Sequence, residues 1–261
     1  MGTLYSVSRA AIHSLRRNPR FNDFWLRRRE TLRFPFYLVS TLARYRGVEP
    51  RECPLCGYSG RFRAAGSPPQ WDARCPGCGS WERQRLLGLY LRRNPQIGTG
   101  SVIHFAPEPG VADVLKSRSA HYRSSDLFQP GCDLQLDLGA IDLPDCSIDL
   151  SVCSHVLEHV PDDRKAVSEL YRCTAPGGTV LIMVPIIESW ARTYENPNVT
   201  GPREQERHFG QFDHVRFYGA DLRDRIRSAG FDLSEFTAET DDVLRYGLTR
   251  GETVFIASRR S

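Results

Sequence analysis

The chain has 261 residues, 40% hydrophobic and 25% charged, and a net charge of +4. Such totals suit a soluble globular protein, either one large domain or one medium domain with appendages, with ample apolar sequence for a core. They exclude a membrane-spanning chain: the longest apolar run, Phe34 to Val39 and on to Ala43, is too short and too interrupted, and no secretory leader pattern opens the sequence.

Residues 1–50 hold ten Arg against Asp23, Glu30 and Glu49, a local balance of +7, so the remaining 211 residues sum to −3. Helical character runs from about Leu4 to Arg17 and again from Phe24 towards Arg46, broken by Asn18-Pro19 and ended by Gly47 and Pro50. Phe21, Phe24, Trp25, Phe34, Phe36 and Tyr37 interleave with Arg27, Arg28, Arg29 and Arg33. That mixture suits peripheral contact with an anionic membrane surface, a nucleic acid, or two helices packing their apolar sides on the domain behind.

Residues 51–80 carry Cys53, Cys56, Cys75 and Cys78 in two Cys-x-x-Cys pairs, CPLCG and CPGCG, with 18 residues between the pairs. Each pair wraps a tight turn, and two turns supply the four thiolates that structural Zn²⁺ prefers. The segment is too poor in apolar residues to fold unaided, so a zinc ribbon ordered by its metal is expected. Cys132, Cys146, Cys153 and Cys173 are scattered singly, as reduced thiols in a cytoplasmic protein would be.

From about Trp81 onward, helix and strand alternate. Trp81–Arg93 reads as an amphipathic helix closed by Asn94-Pro95. Strand-like runs follow at Ser101–Phe105, His121–Ser124, Leu134–Leu136, Ile148–Cys153 and Thr179–Val184. Helices are predicted at Val111–Ser117, Asp162–Thr174 and Tyr218–Ala229. A closing antiparallel pair spans Phe231–Glu239 and Glu252–Ser258. Short apolar strands spaced by helices predict an α/β protein with a mostly parallel sheet covered on both faces.

In such a sheet ligands bind beyond the carboxyl ends of the strands. Those ends carry Ala106, Glu108 and Gly110 after the first strand. Asp126-Leu127 follows the second, Asp137-Leu138 the third, and Ser154-His155 with Glu158-His159 the fourth. Asp126 is placed for ribose hydroxyls, and Asp137 with Leu138 for an adenine.

Residues 101–185 resemble a class I S-adenosylmethionine-dependent methyltransferase of the type 11 group, most specifically in SIDLSVCSHVLEHVPDD and SELYRCTAPGGTVLIMVP. With CPLCG…CPGCGSWERQRLLGLYL and FGQFDHVRFYG included, the resemblance covers roughly residues 51–258 and points to a bacterial subgroup carrying a zinc ribbon. It implies a Rossmann-like seven-stranded sheet, S-adenosyl-L-methionine as methyl donor, and a domain layout of 1–50, 51–80 and 81–261. It also implies an aspartate on the fourth strand, here Asp149, and an acceptor pocket in the insert at about 188–217.

The family's first loop is usually acidic and glycine-rich, whereas this chain reads His104-Phe105-Ala106-Pro107-Glu108-Pro109-Gly110. Two prolines remove backbone donors, which disfavours a dinucleotide pyrophosphate more than a sulfonium donor whose ammonium could meet Glu108.

His155, Glu158 and His159 are spaced to share one face of a helix after the fourth strand. Three readings stand for them: His155 or His159 as general base, the trio as part of a divalent-metal site, or a cap that packs the helix. In the insert, Asp213 beside His214 makes His214 an acceptor-side base candidate. The leading expectation is methyl transfer to an O or N atom of a small-molecule or saccharide acceptor. The alternatives are an rRNA base methyltransferase and a non-catalytic binding protein of the same fold. Nucleic acid is the less favoured partner, because residues 51–261 are net acidic.

Overall fold

The computed structural model describes residues 35–40, 47–66 and 69–261. Residues 35–40 are helical; the rest of the two helices expected over 4–17 and 24–46, and the surface contact assigned to them, lie outside the described residues.

Two hairpins make the cysteine module. β1 (Pro50–Glu52) pairs with β2 (Ser59–Arg61), and β3 (Arg63–Ala65) pairs with β4 (Gln70–Arg74), both antiparallel. Each Cys-x-x-Cys closes the same turn. Gly57 N donates to Cys53 O and Gly79 N to Cys75 O, both at 2.9 Å. Gly57 and Gly79 stand at φ 74° and 72°, a left-handed conformation that glycine enters without steric cost.

α1 (Glu82–Arg93) follows, its first turn closed by Trp81 N donating to Gln84 Oε1 at 2.9 Å. Then come β5 (Ser101–Phe105), α2 (Pro109–Lys116), β6 (His121–Ser125), β7 (Ile148–Ser154), α3 (Asp163–Cys173) and β8 (Thr174–Met183). A small antiparallel pair, β9 (Tyr194–Glu195) with β10 (Arg216–Phe217), flanks α4 (Pro202–Phe209). α5 (Leu222–Ser228), β11 (Asp232–Thr237), α6 (Thr240–Tyr246) and β12 (Thr253–Ser258) complete the chain.

The main sheet has the order β11-β12-β8-β7-β5-β6. β6, β5, β7 and β8 are mutually parallel, while β12 and β11 run antiparallel. Alternate residues of each strand feed opposite faces. Ile103, Phe105 and Ile182 join Val167, Leu170, Leu222 and Ile226 in one core. Val102, Val152 and Leu181 join Leu86, Leu87, Leu91, Val111 and Leu115 in the other.

Among the described residues, six strands stand where the resemblance implied seven. The expected strand Leu134–Leu136 survives as one parallel bridge, Ser125 with Leu134. Leu134 keeps two backbone bonds, donating to Ser124 O at 3.0 Å and accepting from Asp126 N at 3.3 Å, and side chains take over on either side of it. Asp133 Oδ2 accepts from Ser124 N at 2.8 Å and from Ser124 Oγ at 2.7 Å, and Ser125 Oγ accepts from Leu136 N at 3.2 Å.

The cysteine module sits on α1. Arg85 is fully buried and donates to the carbonyls of Ala73, Ser80, Tyr246 and Gly247 at 2.6–2.9 Å. Its guanidinium lies 4.6 Å from the Phe62 ring centroid. One cation therefore ties β4, the second cysteine turn and the end of α6 together.

Candidate active site

Strand register brings the expected cofactor residues to one edge. Phe105 pairs with Ser125 on one side and Cys153 on the other, and Ser154 pairs with Met183. Ala106, Asp126 and the Ser154-His155 step therefore leave the sheet at one level. Ala106 and His155 both adopt left-handed backbone, φ 47° and 54°. They are held there by Ala106 N to Ser125 O and His155 N to Met183 O, both 2.8 Å. Non-glycine residues in this region cost on the order of 1 kcal/mol and concentrate at functional sites.

Asp126 Oδ1 accepts from Phe128 N and Gln129 N, both at 2.8 Å, and Oδ2 has no hydrogen bond among the described residues. Leu127 is exposed beside it. Glu108 stands at the N-cap position of α2 and is buried, its side chain making no cap bond. Its Oε1 takes Gln84 Nε2 at 3.1 Å and Arg83 Nε at 3.3 Å. Its Oε2 is buried without a partner among the described residues, as is Ser154 Oγ. Buried polar atoms in native proteins are nearly always satisfied, so both call for a polar ligand or water at this edge. On that observation, the residues present fit S-adenosylmethionine.

Gly110 faces the cysteine module: a Cβ there would lie 3.3 Å from Leu55 Cδ1 and 3.8 Å from Cys78 Sγ, so its bareness makes room for the ribbon rather than for a cofactor. Leu138 is buried in the core beside Leu136 and Ile141, and Asp137 is exposed with its Oδ1 accepting from Gly139 N at 2.8 Å. His104, which replaces the family's acidic residue, is fully buried in β5 with Nδ1 3.2 Å from Tyr122 Oη. Asp149 acts at the opposite end of the sheet, where its Oδ2 accepts from Ser101 N at 2.7 Å.

The shared helical face expected for His155, Glu158 and His159 is absent. Leu157–His159 forms a single 3-10 turn and α3 starts only at Asp163. Pro161 explains this, since the residue before a proline is driven out of the helical region, and Val160 has φ −82° and ψ 126°. The trio consequently splits. His155, at the strand tip, has Nδ1 3.2 Å from Glu158 Oε1 and Nε2 3.6 Å from Glu252 Oε1. Burial works against its charged form, yet the Glu158 and Glu252 carboxylates outweigh burial and push it up to about 9. At neutral pH it is a held cation, unsuited to removing a proton.

His159 turns to the insert instead. Its Nδ1 lies 3.3 Å from Asp213 Oδ2, and its ring meets His214 edge-on at 4.6 Å between centroids. Asp213 thus pairs with His159 and not with its sequence neighbour. His214 is buried, with Nδ1 3.3 Å from Phe209 O, and burial holds it below the ordinary histidine range. Arg216 fixes this arrangement. Buried in β10, it donates to the carbonyls of Leu157, Val160 and Pro161 and to Glu195. Val215 N also bonds Glu158 O at 2.9 Å.

Sequence reasoning missed Glu252 and Arg85. Glu252 is a lone acid ahead of β12, with no local pattern to mark it. Arg85 is one of several arginines on an amphipathic helix, and only its place among Leu86, Leu87 and Leu89 hinted at burial.

The four ribbon thiols lie within 4.8 Å of one another, with Cys53 and Cys78 Sγ 3.6 Å apart and Cys56 and Cys75 Sγ 3.7 Å apart. A tetrahedral ion bound at about 2.3 Å spaces its sulfurs by just under 4 Å, so the cluster has the dimensions for zinc.

Residues 77–182 match the family described as a methyltransferase domain, of type 11. The chain is 36% identical over 75 residues to malonyl-[acyl-carrier protein] O-methyltransferase of Serratia marcescens. It is 27% identical over 99 residues to a "Probable S-adenosylmethionine-dependent methyltransferase" of Mycolicibacterium smegmatis. These matches take in 28% and 38% of this chain and span 25% and 34% of those relatives. Among solved structures, an S-adenosylmethionine-dependent methyltransferase from Mesorhizobium loti aligns with 67% of this chain and 98% of its own at 19% identity and TM-score 0.47. The Burkholderia thailandensis 1,6-didemethyltoxoflavin-N1-methyltransferase, solved with S-adenosylhomocysteine, aligns with 69% of this chain and 79% of its own at 14% identity and TM-score 0.48. Likeness at that level adds nothing to the topology above. Residues 77–182 therefore form a methyltransferase domain similar to that family's. Among the described residues, no helix is long and apolar enough to cross a membrane.

Proposed function

We propose that the whole protein transfers a methyl group from S-adenosylmethionine to an oxygen or nitrogen of a small-molecule or saccharide acceptor, and that its four cysteines hold one structural zinc. The observation that carries the reading is the edge where Ala106, Asp126 and Ser154 leave the sheet together, beside a Glu108 oxygen that is buried and unpartnered.

When bound, the donor supplies a methyl group on a positively charged sulfur. Glu108 would hold its ammonium and Asp126 its ribose hydroxyls. The Ala106 and Ser154-His155 turns present backbone at the strand tips, where a close-fitting ligand needs it. Aligning two reactants lowers the barrier chiefly by removing their freedom before reaction. The insert would receive the acceptor. His159, oriented by Asp213, is the group available to take its proton. Zinc would order residues 51–80 and, through Leu55 and Arg85, seat them on α1 and α2.

The reading is tested by incubating zinc-loaded protein with S-adenosylmethionine and a panel of hydroxylated small molecules and saccharides, then assaying S-adenosylhomocysteine. Turnover with a member of the panel supports it. Donor binding with turnover only on RNA would replace the acceptor class.

A further inference from the structure

Glu158 is the most deeply buried acid at the carboxyl edge, 1% exposed. Neither of its oxygens makes a hydrogen bond among the described residues. His155 Nδ1 is an ion-pair contact of Oε1 at 3.2 Å, off hydrogen-bond alignment. A carboxylate sealed from water is costly unless cations meet it, and the one Nδ1–H that His155 turns towards Glu158 cannot satisfy the lone pairs of both oxygens. Two imidazoles stand beside it: Glu158, His159 and His214 each offer a ligand atom, all within 4.8 Å of one another.

The outer partners suit ligation. His159 Nδ1 faces the Asp213 carboxylate and His214 Nδ1 faces the Phe209 carbonyl. Metal-binding histidines hold their second ring nitrogen in this way, which fixes the tautomer and leaves the other nitrogen free to coordinate. The Arg216 bonds to Leu157, Val160 and Pro161 hold the turn carrying Glu158 and His159 against the segment carrying His214.

We infer that Glu158, His159 and His214 form a second metal site, for one divalent ion of the Mn²⁺, Fe²⁺, Co²⁺ or Zn²⁺ kind. Two nitrogens and one oxygen suit these ions better than Mg²⁺ or Ca²⁺, which favour oxygen throughout. Three protein ligands leave coordination positions open. Where the methyl-transfer reading above holds, on which this role rests, an acceptor oxygen would fill one of them and lose its proton to solvent more readily. That would change His159 from base to ligand. Metal binding itself stands apart from that reading.

The test titrates Mn²⁺ alone into zinc-loaded full-length protein and follows free Mn²⁺ by electron paramagnetic resonance, with Co²⁺ as a second probe. One ion per chain beyond the zinc is expected, weakened about tenfold or more by Glu158→Gln and by His214→Asn and unchanged by Asp126→Ala. In the unaltered protein, Mn²⁺ should also broaden the imidazole resonances of His159 and His214, a readout that needs no variant to fold. Binding of neither ion, or binding with those resonances unaffected, overturns the site. Calorimetry with S-adenosylhomocysteine on the same sample separates the two readings, since donor binding without Mn²⁺ binding sinks only the metal site.

Discussion

Leu55, between the first two cysteines, fills a notch in α1 created by Gly88. A Cβ at Gly88 would lie 2.5 Å from Leu55 Cδ2 and 2.7 Å from Leu55 Cγ. The same leucine also lies against Gly110 at the first turn of α2. Two glycines in the methyltransferase body are therefore shaped to the cysteine module, which is part of the packed structure and not a tethered appendage.

Gly88→Ala should consequently destabilise the protein by about 1–2 kcal/mol, although alanine is the better helix former. Leu55→Ala should also destabilise alone, but in the double variant the two effects should fall short of their sum, because the smaller residue 55 relieves the overlap. Denaturant midpoints for the four proteins of this cycle measure the coupling. Strict additivity would place Leu55 elsewhere.

Arg85→Met takes the guanidinium donor from the buried carbonyls of Ala73, Tyr246 and Gly247, while Ser80 O keeps its bond from Cys75 N. Removing one side of such a buried polar network costs on the order of 3–5 kcal/mol. The loss should appear as a lowered thermal midpoint together with faster proteolysis within residues 51–80. A change within about 0.5 kcal/mol would show that Arg85 is exposed to water in solution.

Zinc should be found at one ion per chain by elemental analysis. Cys75→Ser should lose it and lower the denaturant midpoint, because the module lacks the apolar content to order itself without metal. Wild-type protein that folds fully with no metal bound would end the ribbon reading.

His104 makes acid stability testable. Burial, with a smaller contribution from Lys116, pushes it down to about 3, below the ordinary value near 6.5 in an unfolded chain. The unfolded state then binds the extra proton between those values, so this contribution is complete above about pH 6.5 and is lost as pH falls towards 3. The expected slope is roughly 1.4 kcal/mol per pH unit in that window. His104→Leu should flatten it, as read from denaturant melts at pH 7 and pH 4.5.

Much of the fold was legible because strands such as Ser101–Phe105 and Ile148–Ser154 are short apolar runs bounded by turn residues. The third strand was misread because Leu134 and Leu136 have the right alternation, while the Asp133 and Ser125 side chains claim the ladder's bonds on either side of Leu134. Helix spacing from His155 to His159 was likewise overridden by Pro161. The cysteine cluster could be read because metal spacing is local. The His159–Asp213 contact could not, because it joins residues more than fifty positions apart through the Arg216 clamp. Glu108 and Asp126 were singled out by their places after strands, a rule of topology that needs no glycine-rich loop.

Methyl transfer by this protein requires donor binding at the strand tips. Isothermal calorimetry of zinc-loaded protein with S-adenosylhomocysteine should show one site per chain, and Asp126→Ala should abolish it while leaving the circular dichroism spectrum and thermal midpoint unchanged. Absence of binding by the unaltered protein, or full affinity in Asp126→Ala, would contradict the assignment of this edge as the cofactor site.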